Sequence, residues 1–301
     1  MGPTAVGKSD IALILVDKFP FEIISVDSAM VYQGLNIGTA KPSKDILHSI
    51  PHRLIDIREP EAVYSVGEFC RDASFHIDKV FTQGKIPLLV GGTMMYFNAL
   101  QNGISILPHA NAEVRAKLEW EILTLGLPVL YQRLVKLDPS SAAKISGNDR
   151  QRIQRALEVY EMAGIPLSRL HHEVAGAKLS YEFINLIVAP PNMNYLRSKI
   201  KQRFTTMLEA GFVAEVEGLY RSGRLNVSMP SMRAIGYREI WRYLSQILSY
   251  DEMVNLIPIA TAQFAKRQIS WLRKKWQDAQ WFNCETGIDL LVDAIYHYLD
   301  L

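Results

Sequence analysis

Gly2-Pro3-Thr4-Ala5-Val6-Gly7-Lys8-Ser9, near the start of the 301-residue chain, fits the pattern G-x-x-x-x-G-K-[ST]. Two glycines let the backbone curl until its N–H groups face inward. Lys8 adds a point charge, Ser9 a hydroxyl ligand for Mg²⁺, and the following helix its positive end. The motif predicts a diphosphate site built by Gly2, Pro3, Thr4, Ala5, Gly7, Lys8 and Ser9. It does not by itself specify ATP. Such a loop ordinarily hangs from a β-strand, for which there is no room before Gly2; an apolar segment ahead of Gly2 is expected, the alternative being a sheet without that strand.

Working outward, the first third alternates short β-rich runs with helical stretches. Glu22–Val26, Arg53–Ile57 and Pro87–Val90 read as strands, and Val66–Val80 as a helix between the last two. This alternation predicts an α/β fold with a mostly parallel sheet flanked by helices. Residues 111–179 read as almost wholly helical, with breaks at Gly126-Leu127-Pro128, Asp138-Pro139, Gly147 and Gly164-Ile165-Pro166. Phe183–Pro190 then returns to strand. The economical reading is a helical insertion domain inside an α/β core formed by 1–110 and 180–301. Leu196, Ile200 and Phe204 recur at the spacing of one buried helix face, and further helices are expected over Ile257–Trp276 and Ile288–Leu299.

Composition excludes several classes. With 49% hydrophobic and 21% charged residues, the chain is neither disordered nor a disulfide scaffold. Cys70 and Cys284 have no partner spacing for a zinc or redox site. No apolar run of membrane-spanning length and no signal leader is present, so a cytoplasmic protein without membrane contact is expected. The net charge of +2 says little. Its distribution says more: Thr261–Lys275 carries five bases and no acid, which suits a polyanionic partner and equally a solvated helix face.

A nucleotide-hydrolysing protein normally places an acid at the end of an apolar strand to position magnesium and water. Pro87–Val90 ends instead in Gly91-Gly92-Thr93. Asp27 follows the other strand, at the sheet edge where parallel folds bind ligands. It can bind Mg²⁺, take a proton from an acceptor, or serve as a strand-end cap. Thr93 suits a phosphate or acceptor contact as well as a helix N-cap.

Beyond the loop, six segments carry a resemblance: ISVDSAMVYQGLNIGTAKP (24–42), PHRLIDI (51–57), LLVGGTMMYFNAL (88–100), NDRQRIQRALEVYEMAG (148–164), MPSMRAIGYREIWRYL (229–244) and ATAQFAKRQISWLRKKW (260–276). In this order, over nearly the whole chain, they resemble the tRNA dimethylallyltransferases, also called tRNA isopentenyltransferases. The chain ends without the zinc-finger extension of eukaryotic relatives, so the resemblance is to the bacterial form.

The resemblance implies a P-loop-kinase-like core that binds dimethylallyl diphosphate. The implied acceptor is N6 of adenosine 37 beside the tRNA anticodon, and the products are isopentenyladenosine and pyrophosphate. Asp27 matches the family's general base, Thr93 its GGT threonine, and Arg233 the arginine of its R-x-x-GYR motif, which would contact the diphosphate. Ser9 and Asp27 are the expected Mg²⁺ contacts. Asp27 and Ser28, Arg150, Arg152 and Arg155 of the insertion, and Lys266, Arg267 and Gln268 of the KRQ element are expected to meet tRNA through its anticodon stem-loop. Met94, Met95, Tyr96 and Phe97 are available as a wall for the donor's five-carbon tail, although packing against the sheet suits most of them. Trp271 and Trp276 suit core burial better than base stacking. Met30 stands where some family members have Gln. A monomer is expected. Rival readings are an adenylate dimethylallyltransferase, a P-loop small-molecule kinase, and a nucleic-acid-binding module with a vestigial loop.

Overall fold

The phosphate loop runs into helix α1 (Lys8–Lys18), whose N-cap Gly7 has φ 76°, a left-handed state that glycine adopts at no steric cost. The computed structural model describes residues 1–103, 105, 107–108, 111–173 and 180–299. They divide into two compact units, residues 1–100 with 181–301, and residues 101–180. The expected insertion spanned 111–179, of which residues 174–179 lie outside the described residues.

In the first unit, α1 is followed by β1 (Phe21–Val26), α2 (Lys44–Ser49), β2 (His52–Arg53), α3 (Val66–Thr82), β3 (Ile86–Gly91) and α4 (Met94–Asn102). All of β1 is buried, as expected for a central parallel strand. The three strands form a parallel sheet in the order β2-β1-β3. Its register pairs Val26 with Gly91, so Asp27 and Gly92-Thr93 leave the sheet at the same level. The strand expected over Arg53–Ile57 is confined to His52–Arg53, because Leu54 and Asp56 both have positive φ and turn the chain out of the ladder.

The chain returns to this unit through β4 (Leu186–Ala189) and α10 (Met193–Glu209). It continues through α11 (Phe212–Arg221), a 3₁₀ turn (Ser231–Arg233), α12 (Tyr237–Leu244), α13 (Tyr250–Lys275), β5 (Gln280–Asn283) and α14 (Ile288–Tyr298). β4 and β5 pair in parallel as a second sheet, and the backbone of Met1 bonds to Leu186 and Val188 of β4. β5 is short and half exposed, and it carries no alternating pattern that would mark it in the sequence. α13 starts at Tyr250 instead of Ile257. Ser249 and Glu252 form a reciprocal capping box there, which satisfies two N–H groups at the helix start.

One core cluster unites Ile11 and Leu15 of α1, Val188 of β4, Leu196 and Ile200 of α10, and Leu291 of α14. Each such side chain contributes about 1.5–3 kcal/mol by leaving water. This packing holds α1, and therefore the loop before it, against the sheet edge.

The second unit contains α5 (Ala112–Leu125), α6 (Leu127–Leu137), α7 (Pro139–Ala142), α8 (Arg150–Ala163) and α9 (Leu167–Glu173). Leu118, Ile122, Leu130, Leu134, Ile153 and Leu157 form its core. Beside that core the Glu158 carboxylate is fully buried, accepting from Arg115, Arg155 and the Asn111 N–H. Among the described residues, no helix is long and apolar enough to cross a membrane.

Candidate active site

The ends of β1 and β3, the phosphate loop, α10 and α13 surround one cavity of about 1490 Å³ within the first unit. Thr4–Ser9, Asp27, Ser28, Thr93, Arg233 and Arg267 all line it. Asp27 Oδ1 accepts from the N–H groups of Ala29 (2.8 Å) and Met30 (3.2 Å), which fixes the carboxylate in a turn. Thr93 Oγ1 accepts from the Ser28 N–H at 3.0 Å, and the Thr93 N–H returns to Val26 O at 3.2 Å. Thr93 Oγ1 also donates to Ser28 Oγ at 3.3 Å, so three bonds tie the GGT turn to Val26 and Ser28 on either side of Asp27.

In the loop, Lys8 Nζ donates to Pro3 O at 2.5 Å. Burial pushes Lys8 down to about 8; Asp27 partly offsets this, and Arg203 adds to it. The first N–H groups of α1 have no intrahelical partners, and no side chain caps them, so they remain available to an anion. The Thr4 N–H donates to Gln268 Oε1 at 2.9 Å, and both residues line the cavity.

Arg203 escaped the sequence reading. Its Nη1 and Nη2 lie 3.4 Å from Thr4 Oγ1 and 3.5 Å from Thr39 O, long bonds for five guanidinium donors. Among the described residues no ion pair joins it. Burial disfavours its charge, and Asp27 and Asp10 offset part of that cost. The available signal was its place on α10, between Ile200 and Phe204 on the buried face.

Glu215 also escaped. Its carboxylate accepts from the N–H groups of Asn36 (3.1 Å), Ile37 (2.8 Å) and Gly38 (3.3 Å), and from Tyr237 Oη (2.6 Å). One side chain of α11 thereby fixes the segment downstream of Asp27 and joins it to α12. Glu215 follows the same signal, a charge within the apolar stripe of Phe212 and Val216.

Several expected residues sit elsewhere. Gln268 lines the cavity but is only 5% exposed and spends both ends of its amide on backbone. Its place in the Ala265–Gln268–Leu272 stripe puts it on the buried side of α13, while Lys266 and Arg267 are exposed. Met94, Tyr96 and Phe97 are buried, with Tyr96 stacked on Phe69 at 4.2 Å, and Met95 is exposed. The cavity's apolar lining comes instead from residues such as Met30, Ile37, Ile235, Ile257 and Phe264. Trp276 is buried. In the second unit, Arg150 pairs with Glu119, Arg152 with Asp149 and Arg155 with Glu158. Arg155 also donates to Pro108 O at 2.7 Å.

A family model described as IPP transferase matches residues 30–275. The chain belongs to the IPP transferase family. It is 50% identical over 299 residues to a tRNA dimethylallyltransferase of Coxiella burnetii, covering 99% of this chain and 98% of the relative. It is 50% identical over 273 residues to a tRNA dimethylallyltransferase of Thioalkalivibrio sulfidiphilus, covering 91% and 85%. Among solved structures, it resembles the tRNA isopentenylpyrophosphate transferase of Bacillus halodurans at 31% identity and a TM-score of 0.71, over 99% of this chain and 93% of that one. A eukaryotic dimethylallyltransferase described as acting on tRNA matches at 26% identity and a TM-score of 0.82, over 98% and 77%. The cavity lining combines the cations Lys8, Arg203, Arg233 and Arg267 with the Asp27 carboxylate.

Among the described residues no group of three or more His, Cys, Asp or Glu forms a metal cage. Ser9 and Asp27 both line the cavity, and Asp27 Oδ2 has no hydrogen bond from a described residue. One or two protein oxygens beside a phosphate site suit Mg²⁺, which keeps several waters and takes substrate oxygens.

Proposed function

We propose that this chain transfers the dimethylallyl group of dimethylallyl diphosphate to N6 of adenosine 37 in tRNA, releasing pyrophosphate. The observation that carries the reading is the direct tie between the Asp27 turn and the Gly91-Gly92-Thr93 turn, beside a phosphate loop and in one cavity. β3 brings no carboxylate to the loop, so the site lacks the acid that a hydrolase uses to aim water. The 50% identical relatives support the same reading.

N6 of adenine attacks C1 of the allyl group as the C1–O bond to the diphosphate breaks. The new N6–C1 bond leaves positive charge on nitrogen, and Asp27 accepts the N6 proton through the oxygen its turn leaves uncommitted. Thr93, fixed by Ser28, faces the reacting amine. Charge accumulates on the departing diphosphate. Lys8, the α1 N–H groups, Arg233 and Arg203 stabilise it, and the cations act strongly because the cavity is partly shielded from water. Ser9, with Asp27 nearby, would hold Mg²⁺, which supplies further neutralisation of the diphosphate.

The acceptor must leave its stack to reach this cavity, as bases undergoing chemistry do. Exposed Lys266 and Arg267 serve as phosphate contacts for the anticodon stem-loop, and Arg150 and Arg152 contribute the part of their charge that faces solvent. The protein acts in the cytoplasm, without a membrane partner. Mass spectrometry of tRNA nucleosides after incubation with the purified chain, donor and Mg²⁺ tests acceptor, donor and product together. Isopentenyladenosine is the expected product. Labelling of free AMP in place of tRNA, or ATP-dependent phosphorylation without any prenylation, would overturn the reading.

A further inference from the structure

Gln268 bridges two turns that are far apart in sequence. Its Oε1 accepts the Thr4 N–H at 2.9 Å, and its Nε2 donates to Gly92 O at 2.7 Å. Both bonds are short and lie in a buried place, where a lost partner leaves a polar group unsatisfied. The fit is close: a Cβ on Gly92 would stand 2.6 Å from Nε2. Gly92 adjoins Thr93, and Thr93 Oγ1 takes the N–H of Ser28, next to Asp27. A continuous path therefore runs from the phosphate loop through one amide to the acid-bearing turn.

We infer that Gln268 is a positioning residue that sets the phosphate loop in register with Thr93 and Asp27, so that donor and acceptor groups meet. The inference rests on the proposed transfer reaction and separates Gln268 from its exposed neighbours Lys266 and Arg267. An amide is suited to this place because one end must accept and the other donate. Glutamate of the same shape keeps an acceptor for Thr4 N–H but turns a second oxygen toward Gly92 O. Only its protonated form restores the donor.

The test uses full-length Gln268→Met and Gln268→Glu proteins. Three quantities are measured: the Kd of inorganic pyrophosphate with Mg²⁺, the single-turnover transfer rate at saturating donor and tRNA, and the Kd of unmodified tRNA against salt. Gln268→Met is expected to weaken pyrophosphate binding about tenfold, from the loss of two hydrogen bonds. It should slow the single turnover at least as much, while tRNA affinity and its salt slope stay unchanged. Gln268→Glu should regain pyrophosphate affinity and rate, relative to wild type at the same pH, as the pH falls from 8 to 6. Weaker tRNA binding with unchanged pyrophosphate affinity would return Gln268 to the RNA interface and overturn the inference. So would a Gln268→Met protein that matches wild type. If that variant does not fold, Gln268→Glu decides, and absence of recovery at low pH counts against the tie. Failure of wild type to prenylate tRNA would instead sink the functional reading, and the pyrophosphate comparison would still measure the tie.

Discussion

The Ser28 N–H donates to Thr93 Oγ1 across 3.0 Å, joining the turn after β1 to the turn after β3. The parallel pairing of Val26 with Gly91 makes this bond possible, because it brings both turns off the sheet at one level. The bond fixes the hydroxyl beside the acid, and Thr93 Oγ1 in turn donates to Ser28 Oγ at 3.3 Å. Replacing Thr93 with Val removes that acceptor with little change of shape. The single-turnover rate should fall about tenfold or more, with tRNA affinity unchanged. Rapid-quench assays at saturating substrates check this, and an unaltered rate would refute the role.

Asp27→Asn should keep the turn, since its side-chain oxygen still accepts from Ala29 and Met30. It cannot take the N6 proton. Transfer should drop by about 10²–10⁴, the usual range for a general base, while binding of donor and tRNA persists. Equal turnover at saturation would show that departure of the diphosphate, with no proton acceptor involved, limits the rate.

Lys8 predicts a pH dependence for donor binding. Burial brings it down to about 8 in the ligand-free protein, whereas an anion favours its protonated form. Affinity for dimethylallyl diphosphate, measured without RNA, should therefore decline as pH rises above about 8, with proton uptake on binding. Calorimetry in buffers of different ionisation enthalpy reads both effects. The sign for folding is opposite. The folded value lies below the unfolded one, so from pH 8 toward 10 the unfolded chain holds more protons and Lys8 contributes stability that grows with pH. Donor affinity that stays flat up to pH 9.5 would contradict the arrangement.

Glu215→Ala releases three N–H groups and the Tyr237 hydroxyl at once. Destabilisation of about 1–3 kcal/mol is expected, together with a transfer defect larger than any donor-binding defect. Glu215→Gln, which cannot receive all four donors as an anion does, should fall between alanine and wild type. Urea melts and steady-state kinetics on the same preparations separate the two effects.

Arg203 faces the loop without an ion pair among the described residues, so its removal should cost ligand affinity more than stability. Arg203→Ala should weaken pyrophosphate binding about tenfold or more, as expected for a charged contact. Arg203→Lys keeps the charge and loses the fork, and should recover only part of the loss. Unchanged pyrophosphate affinity would remove Arg203 from the donor site.

Local sequence alone determined a good deal of this protein. The pattern of Gly2–Ser9 specifies a loop ahead of a helix, because glycine spacing and the lysine act within eight residues. The apolar run of β1 and the stripe of α10 mark buried elements, since burial imposes their patterns. Asp27, Thr93 and Arg233 were legible as a set through ordered motifs, and they do line one cavity. What only the tertiary structure decided is which polar side chains turn inward. Gln268 sits in an exposed-looking KRQ run, and although Arg203 and Glu215 fall within apolar stripes, their partners lie far off in the chain. Thr4, Gly92, Thr39 and Asn36–Gly38 reach them from remote parts of the chain. The physical reason is that a buried polar group is stable only with a partner, and a partner up to 264 residues away leaves no trace in local spacing.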